Sequence, residues 1–346
     1  MKAKSKKPVK KVKKTKAATK KASKKKKVAK KVAQKTAKKA VKKSTKKGGK
    51  KSVKAIKKII TTTTTTTVTT TTASVAPTET HYLLILDESG SMLGVRQNTL
   101  SGVNEQIQTI KSLEKKYPEQ KYSISIVKFS NNEVSSVVED VPASQVKELS
   151  LDDYKPDGGT PLYDAIGISV TNLKNRIQSK LNTGEASVLV VILTDGEENQ
   201  SSVEKWKDAD FSDQSKKIRG LITELSKSNL WTFTFIGANQ DAVLTAKNLG
   251  VNINNVANYT SSQQGTKLAF ASINSAMGRR AAYSKAGVYC ASVDNFMGEV
   301  TRGFGDIGED ASKLNLSVDL TEEEIENAKQ KLANNGITSN APTDKK

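Results

Sequence analysis

The sequence predicts an α/β fold, a doubly wound and mostly parallel sheet flanked by helices, preceded by a disordered N-terminal tail. From about residue 80, short apolar runs alternate with segments in which apolar residues recur every three or four positions. Strands and helices in alternation form a parallel sheet that is covered on both faces. Residues 81–282, roughly 200 in number, suffice for one such domain. By contrast, residues 1–60 hold 29 lysines and no aromatic residue, which excludes a buried core there.

Six short runs are predicted to be strands because their apolar residues are continuous or alternate. In chain order they are Tyr82–Leu86, Ser123–Phe129, Val134–Val138, Val188–Leu193, Trp231–Ile236 and a run near Val256. The most apolar run is 188–193, and a strand that is buried on both faces is continuously apolar. We therefore expect this strand at the centre of the sheet, and the short run 134–138 at an edge.

Helices are predicted where apolar residues recur at helical spacing between the strands. They carry Val103, Ile107 and Ile110; Leu162 to Ile177; Ile218, Ile222 and Leu225 behind a cap at Ser212; Val243 to Leu249 before Gly250; and about Ser262 to Arg280. Residues 283–346 are expected to form a C-terminal extension. Within it, Thr321 to Glu324 make a capping box that opens a short helix at about 321–335.

The N-terminal tail, residues 1–60, carries the positive charge of the chain. The chain has 57 basic and 35 acidic residues and a net charge of +22, yet residues 61–346 alone have a net charge of −7. The lysine-rich composition resembles the tails of linker histones and of histone-like bacterial proteins. We expect the tail to bind nucleic acid through counterion release and without sequence preference, since it has no aromatic residue to stack on bases. An anionic membrane, another polyanion or a purely solubilising role are the alternatives.

Residues 61–80 are predicted to be a Thr-rich linker, because 11 of the 12 residues from Thr61 to Thr72 are threonine and β-branched residues favour extended backbone. Ile59 and Ile60 lead directly into these threonines rather than into an apolar signal segment, and no run of about 18 apolar residues occurs. Cys290 is the only cysteine, so no disulfide forms within the chain. We expect a cytoplasmic protein without a transmembrane segment, associated with the nucleoid or other nucleic acid through its tail.

Oxygen-bearing side chains follow the first predicted strand and recur at two later positions. The segments are Asp87-Glu88-Ser89-Gly90-Ser91, Asp157-Gly158-Gly159-Thr160-Pro161 and Thr194-Asp195-Gly196, the last of which ends the most apolar strand. Carboxyl ends of parallel strands meet at one edge of a sheet. Oxygen ligands with little charge suit a hard cation such as Mg²⁺, so the sequence predicts a metal site at this edge. Taken alone, each aspartate could instead cap a helix or turn a loop.

These segments resemble the von Willebrand factor A (vWA) domain with a complete metal-ion-dependent adhesion site (MIDAS), through Asp-x-Ser-x-Ser, Gly-Gly-Thr-Pro and Thr-Asp-Gly in this order. The resemblance covers about residues 80–282. It implies that Ser89, Ser91 and Thr160 supply hydroxyls to the metal. It also implies that Asp87 and Asp195 bind the metal directly or through water. The implied ion is Mg²⁺, with Mn²⁺ or Ca²⁺ as alternatives, and a protein partner's Asp or Glu carboxylate completes its coordination.

Enzyme functions fit the sequence less well. His81, the only histidine, is expected before the first strand and about 20 Å from Ser89. No Gly-x-Ser-x-Gly elbow exists, and Gly303 to Gly308 matches a dinucleotide-binding motif only by letter, since no strand precedes it. We expect a non-enzymatic adaptor that captures a partner's carboxylate while its tail binds nucleic acid. The alternatives are a histone-like compacting protein with a passive vWA domain and a metal-dependent phosphoester hydrolase.

Overall fold

The computed structural model describes residues 73–202, 214–238, 242–302, 306–334 and 338–340. The expected tail, most of the Thr-rich linker and the helix cap at Ser212 lie outside these residues. Among the residues described, no helix is both long and apolar enough to cross a membrane.

Nine strands are described, and seven of them form one sheet. The strands are β1 (Ala73–Val75), β2 (Glu79–Asp87), β3 (Lys121–Ser130), β4 (Glu133–Pro142), β5 (Ala186–Thr194), β6 (Trp231–Ala238), β7 (Val256–Tyr259), β8 (Asp306–Gly308) and β9 (Thr338–Asn340). The order in the large sheet is β4-β3-β2-β5-β6-β7-β8, and β4 is antiparallel to β3 whereas the other neighbours are parallel. The predicted mostly parallel α/β fold is confirmed, with β5 at the centre and β4 at an edge.

Helices cover both faces of this sheet. They are α1 (Arg96–Lys116), α2 (Leu162–Asn182), α3 (Gln214–Ser226), α4 (Ala242–Asn248), α5 (Gln263–Lys285), α6 (Cys290–Val293) and α7 (Glu322–Asn334). Because successive strand residues point to opposite faces, Leu84 packs with the side of α1 and α5, while Leu83 packs with the side of α2, α3 and α4. The two apolar layers hold the strand ends in fixed positions, which is what a site at the edge of the sheet requires.

The sheet extends past both ends of the range in which we expected the domain. β2 begins at Glu79 rather than at Tyr82, and β8 lies beyond residue 282 and pairs with β7. With only three residues, of which Ile307 is buried, β8 has no apolar run from which it could be predicted. β1 lies in the stretch expected to be linker and pairs in parallel with β9.

His81 lies inside β2, and our expectation that it precedes the strand is wrong. Its Nδ1 atom is 2.6 Å from Asp140 Oδ1, and its Nε2 atom is 3.2 Å from Glu79 Oε1. Burial opposes ionisation of Asp140, but the hydrogen bond and charge of His81 prevail and lower the pKa of that carboxyl. Polar residues can continue this strand because they are paired with one another. His81 remains near the amino end of β2, far from Asp87 at the carboxyl end.

Arg279 of α5 fixes the C-terminal helix α7 to the rest of the domain. Its side chain is 4% exposed, and its Nη2 atom is 2.7 Å from both Glu299 Oε2 and Glu324 Oε1. Tyr283 donates to the other carboxylate oxygen of Glu299 at 2.7 Å, and it packs in one apolar cluster with Leu332 of α7. The helix that the sequence predicts at about 321–335 therefore belongs to the packed structure.

Candidate metal-ion site

The three segments predicted to bind a metal lie together at the carboxyl edge of the sheet. β2 and β5 are neighbours, and their register pairs Leu86 with Leu193. Asp87 and Thr194, the next residues, therefore lie side by side where both strands end. The continuous apolar runs of both strands cause this arrangement, because each must be buried between the two helical layers.

Asp87 is completely buried, yet both of its carboxylate oxygens are hydrogen-bonded. Oδ1 accepts from the Ser89 backbone N–H at 2.7 Å, and Oδ2 accepts from the Thr194 hydroxyl at 2.5 Å. The Tyr154 hydroxyl donates to the backbone carbonyl of Asp87 at 2.5 Å and fixes the strand end. Burial raises the pKa of Asp87, the hydrogen bonds from Ser89 and Thr194 oppose this, and the nearby charge of Asp195 adds to it. A cation bound beside Asp87 would relieve the cost of burying its charge.

Ser89, Ser91 and Asp195 form a continuous chain of hydrogen bonds. The Ser89 and Ser91 hydroxyl oxygens are 3.0 Å apart, and the Ser91 hydroxyl donates to Asp195 Oδ1 at 2.5 Å. The Ser261 hydroxyl donates to the second oxygen, Oδ2, at 3.2 Å. Ser89 is buried, whereas Ser91 is exposed, so the chain leads from the interior to the surface of the domain.

The loop that carries Thr160 is attached to the other two segments by backbone hydrogen bonds. The Gly90 N–H donates to the Gly158 carbonyl at 2.9 Å, and the Asp157 N–H donates to the Glu88 carbonyl at 2.9 Å. Gly158 has a φ of +68°, and an added Cβ would lie 1.6 Å from the Asn131 side chain, so glycine is required at this position. The loop can therefore approach β2 closely enough to present Thr160.

Thr160 itself is buried and held from the side of β5. Its N–H donates to the Asn199 side-chain oxygen at 2.8 Å, and its carbonyl accepts from the Asn199 N–H at 3.1 Å. This double contact fixes the backbone of Thr160 beside the end of β5.

The side-chain oxygens of Asp87, Ser91 and Thr160 converge on a space beside Gly196. A Cβ atom built on Gly196 would lie 2.9 Å from Thr160 Oγ1 and 3.6 Å from both Asp87 Oδ2 and Ser91 Oγ. Three oxygens at such distances from one point, two of them neutral, match the donor set that a hard cation prefers. The residues at this site therefore fit the Mg²⁺ that the sequence implies.

The site differs in kind from a closed, all-protein metal centre. Within the described ranges, no group of three or more His, Cys, Asp or Glu side chains is placed to hold an ion. Hydroxyls rather than charged groups provide most of the donors here, and an ion held by them keeps much of its positive charge.

Several residues of the site could not be identified from the sequence motifs alone. Thr194 bonds to Asp87, and Asn199 bonds to Thr160. Ser261 follows β7, two strands away from β5, and no motif marks it. Gly196 was recognised as part of Thr-Asp-Gly, but the space that it leaves for other oxygens appears only in three dimensions.

No protein family model and no curated protein matches the chain. Solved structures that are similar in fold include proximal thread matrix protein 1 from the mussel byssus, the VWA domain of SpRpn10, and the vWF domain of the type V pili tip protein Mfa5 from Porphyromonas gingivalis. The mussel protein is 16% identical over 57% of this chain, with a TM-score of 0.41. The SpRpn10 domain is 14% identical over 56%, with a TM-score of 0.37. The Mfa5 domain is 13% identical over 59%, with a TM-score of 0.40. The chain spans 48% of the mussel protein and 94% and 96% of the other two. At such low identities and TM-scores, these similarities assign neither a family nor a function.

Proposed function

We propose that the domain is a non-enzymatic, Mg²⁺-dependent protein-binding module of the vWA type, which captures an Asp or Glu carboxylate of a partner protein. The observation that carries the proposal is the convergence of the Asp87, Ser91 and Thr160 oxygens beside Gly196. The Ser89 and Asp195 side chains join this set through hydrogen bonds to Ser91. These contacts support a single ion site formed by the five residues of the implied MIDAS.

The donor set favours capture of an external anion. Ser89, Ser91 and Thr160 offer neutral oxygens, and Asp87 and Asp195 are both already engaged as hydrogen-bond acceptors. A bound Mg²⁺ would supply an incompletely neutralised Lewis acid with a coordination position for one more oxygen. Ser91 is exposed, so an ion held beside it would be within reach of a carboxylate of another protein.

Two exposed leucines near the site favour a protein as the ligand. Leu93 is 62% exposed and Leu151 is 47% exposed. Arg96 connects them, because its backbone N–H donates to the Leu93 carbonyl and its side chain donates to the Leu151 carbonyl. Exposed apolar side chains beside a charged site suit a peptide segment in which an acidic residue has an apolar neighbour.

A hydrolase would need a general base near the same ion. The only histidine, His81, lies toward the opposite edge of the sheet and is engaged with Asp140 and Glu79. Histidine is therefore not placed to act as a general base at the ion, which gives the hydrolase less support than the adaptor.

The proposal can be tested with Asp87→Ala in the full chain. Wild-type protein should bind Mg²⁺ in calorimetric titrations and should retain a partner from cell extract in Mg²⁺ but not in EDTA. The variant should lose both properties, because it lacks the one fully buried carboxylate of the site. As a control, Asp152→Ala removes a carboxylate that is 92% exposed on the neighbouring loop and should leave both unchanged. Equal capture in Mg²⁺ and in EDTA would contradict the proposal.

We propose further that residues 1–60 tether this module to nucleic acid, because they hold 29 lysines and no acidic residue. Deleting residues 1–60 should abolish retention on DNA, and retention of the whole chain should weaken steeply as salt is raised. Asp87→Ala should keep DNA retention while losing partner capture. A compacting protein with a passive vWA domain predicts instead that Asp87→Ala behaves like wild type in every assay.

A further inference from the structure

Asp195 is held by hydroxyl groups from two sides. Ser91 donates to Oδ1 at 2.5 Å, and Ser261 donates to Oδ2 at 3.2 Å. Ser91 belongs to the segment after β2, whereas Ser261 follows β7, on the opposite side of β5. These two hydrogen bonds come from opposite sides of β5 and hold the Asp195 carboxylate in one orientation.

The position of Ser261 is fixed by the start of α5. Its neighbour Ser262 caps that helix by accepting from the Gly265 N–H at 3.0 Å, and it also donates to Glu309. The Ser262 N–H donates to the Thr260 carbonyl at 2.7 Å. A Cβ on Gly265 would lie 2.1 Å from that carbonyl, so the turn is tightly packed. Ser261 is therefore presented to Asp195 by a well-defined turn.

Tyr259, two residues before Ser261, provides a second, independent observation. Its side chain is 2% exposed, and its hydroxyl has no hydrogen-bond partner within the part of the chain that the structure describes. Tyr259 is the last residue of β7 and precedes by two residues the Ser261 that bonds to Asp195, so it lies at the same edge of the sheet as the site. Burial, followed by the charges of Asp195 and Asp87, raises the pKa of its hydroxyl. A buried hydroxyl without a protein partner usually bonds to an ordered water molecule.

We propose that Ser261 and Tyr259 are positioning residues that keep Asp195 from contacting the ion directly. Ser261 donates to one oxygen of Asp195, and the buried Tyr259 hydroxyl would bind a water molecule that could lie between Asp195 and a bound ion. With Asp195 at this distance, one negative charge fewer contacts the ion, which then attracts an external carboxylate more strongly. This inference rests on the proposed function, and it names the residues that control how strongly the ion attracts an external carboxylate.

The test is Ser261→Ala in the full chain, with Mn²⁺ as the ion and acetate as the external carboxylate. Without the Ser261 hydroxyl, Asp195 can turn toward the ion. We expect Mn²⁺ to bind about tenfold more tightly and acetate to bind to the loaded protein about tenfold more weakly. Water-proton relaxation should show fewer water molecules on Mn²⁺ than in wild type. Ser261→Thr keeps the hydroxyl and should restore wild-type values, and Ser112→Ala, at an exposed serine of α1, should change nothing.

The possible outcomes separate the two proposals. If Ser261→Ala weakens Mn²⁺ binding, or leaves both affinities unchanged, the positioning role is overturned although the metal site stands. If wild-type protein does not bind Mn²⁺ at all, the proposed function itself fails. Tyr259→Phe should weaken acetate binding without lowering the thermal unfolding temperature, and unchanged acetate binding would remove Tyr259 from the mechanism.

Discussion

Gly196→Ala should abolish Mg²⁺ binding and leave the fold intact. The added methyl group would lie 2.9 Å from Thr160 Oγ1 and 3.6 Å from Asp87 Oδ2 and Ser91 Oγ, in the space where these oxygens converge. It removes none of the proposed ligands, so the loss would come from occupation of the space alone. Calorimetric titration with Mg²⁺ measures the loss, and thermal unfolding without metal shows whether the domain still folds.

Gly94→Ala is the matched control for this prediction. Gly94 belongs to the short helical turn Gly90–Val95 beside the site, and a Cβ there would have no neighbouring atom within 4 Å. The Mg²⁺ affinity of the Gly94→Ala variant should equal that of wild-type protein. If Gly196→Ala bound Mg²⁺ as tightly as wild type, the ion would have to lie elsewhere, and the proposed function would lose its main support.

Arg279→Ala should lower the free energy of unfolding by about 3 kcal/mol, as expected when one partner of a buried ion pair is removed. The side chain of Arg279 is almost fully buried between two carboxylates, Glu299 and Glu324. Without it, these carboxylates repel each other, and α7 loses its polar link to α5. Urea unfolding followed by circular dichroism measures the change.

An exposed ion pair in the same region provides the comparison for Arg279. Lys116 pairs with Asp319 at 2.7 Å, but their side chains are 47% and 76% exposed. Lys116→Ala should therefore cost less than about 1 kcal/mol, because water solvates both charges when the pair is absent. Equal losses for the two variants would mean that α7 is not fixed by Arg279.

The order of strands and helices was predictable because parallel strands in such a sheet are buried on both faces. Val188 to Leu193 is continuously apolar, and it lies at the centre. The amino end of β2 was not predictable, since Glu79 and His81 are polar and their partners Lys180 and Asp140 are distant in sequence. β8 was missed for a different reason: a strand of three residues carries no periodicity.

For the site, the sequence identified side chains but not their contacts. The three motifs name Asp87, Ser89, Ser91, Thr160 and Asp195, because strand ends and glycine-rich loops are local features. Ser261 depends on the packing of β7 and α5 against the sheet, which no local pattern encodes. The same holds for Tyr259, whose buried hydroxyl looks in the sequence like that of any other core tyrosine.

The path of β2 has a mechanical consequence. The chain enters this strand at Glu79 and reaches the site at Asp87, roughly 26 Å away at strand spacing. β2 pairs in parallel with β3 on one side and with β5 on the other, along nearly its whole length. A pull between the N-terminal segment and a ligand at the site would act along the strand axis. Such a pull would load the hydrogen bonds between β2 and β3 and those between β2 and β5 at the same time. These bonds would be sheared together and would not break one after another. Tension between the amino end of β2 and a ligand at Asp87 would therefore be shared by both neighbouring strands.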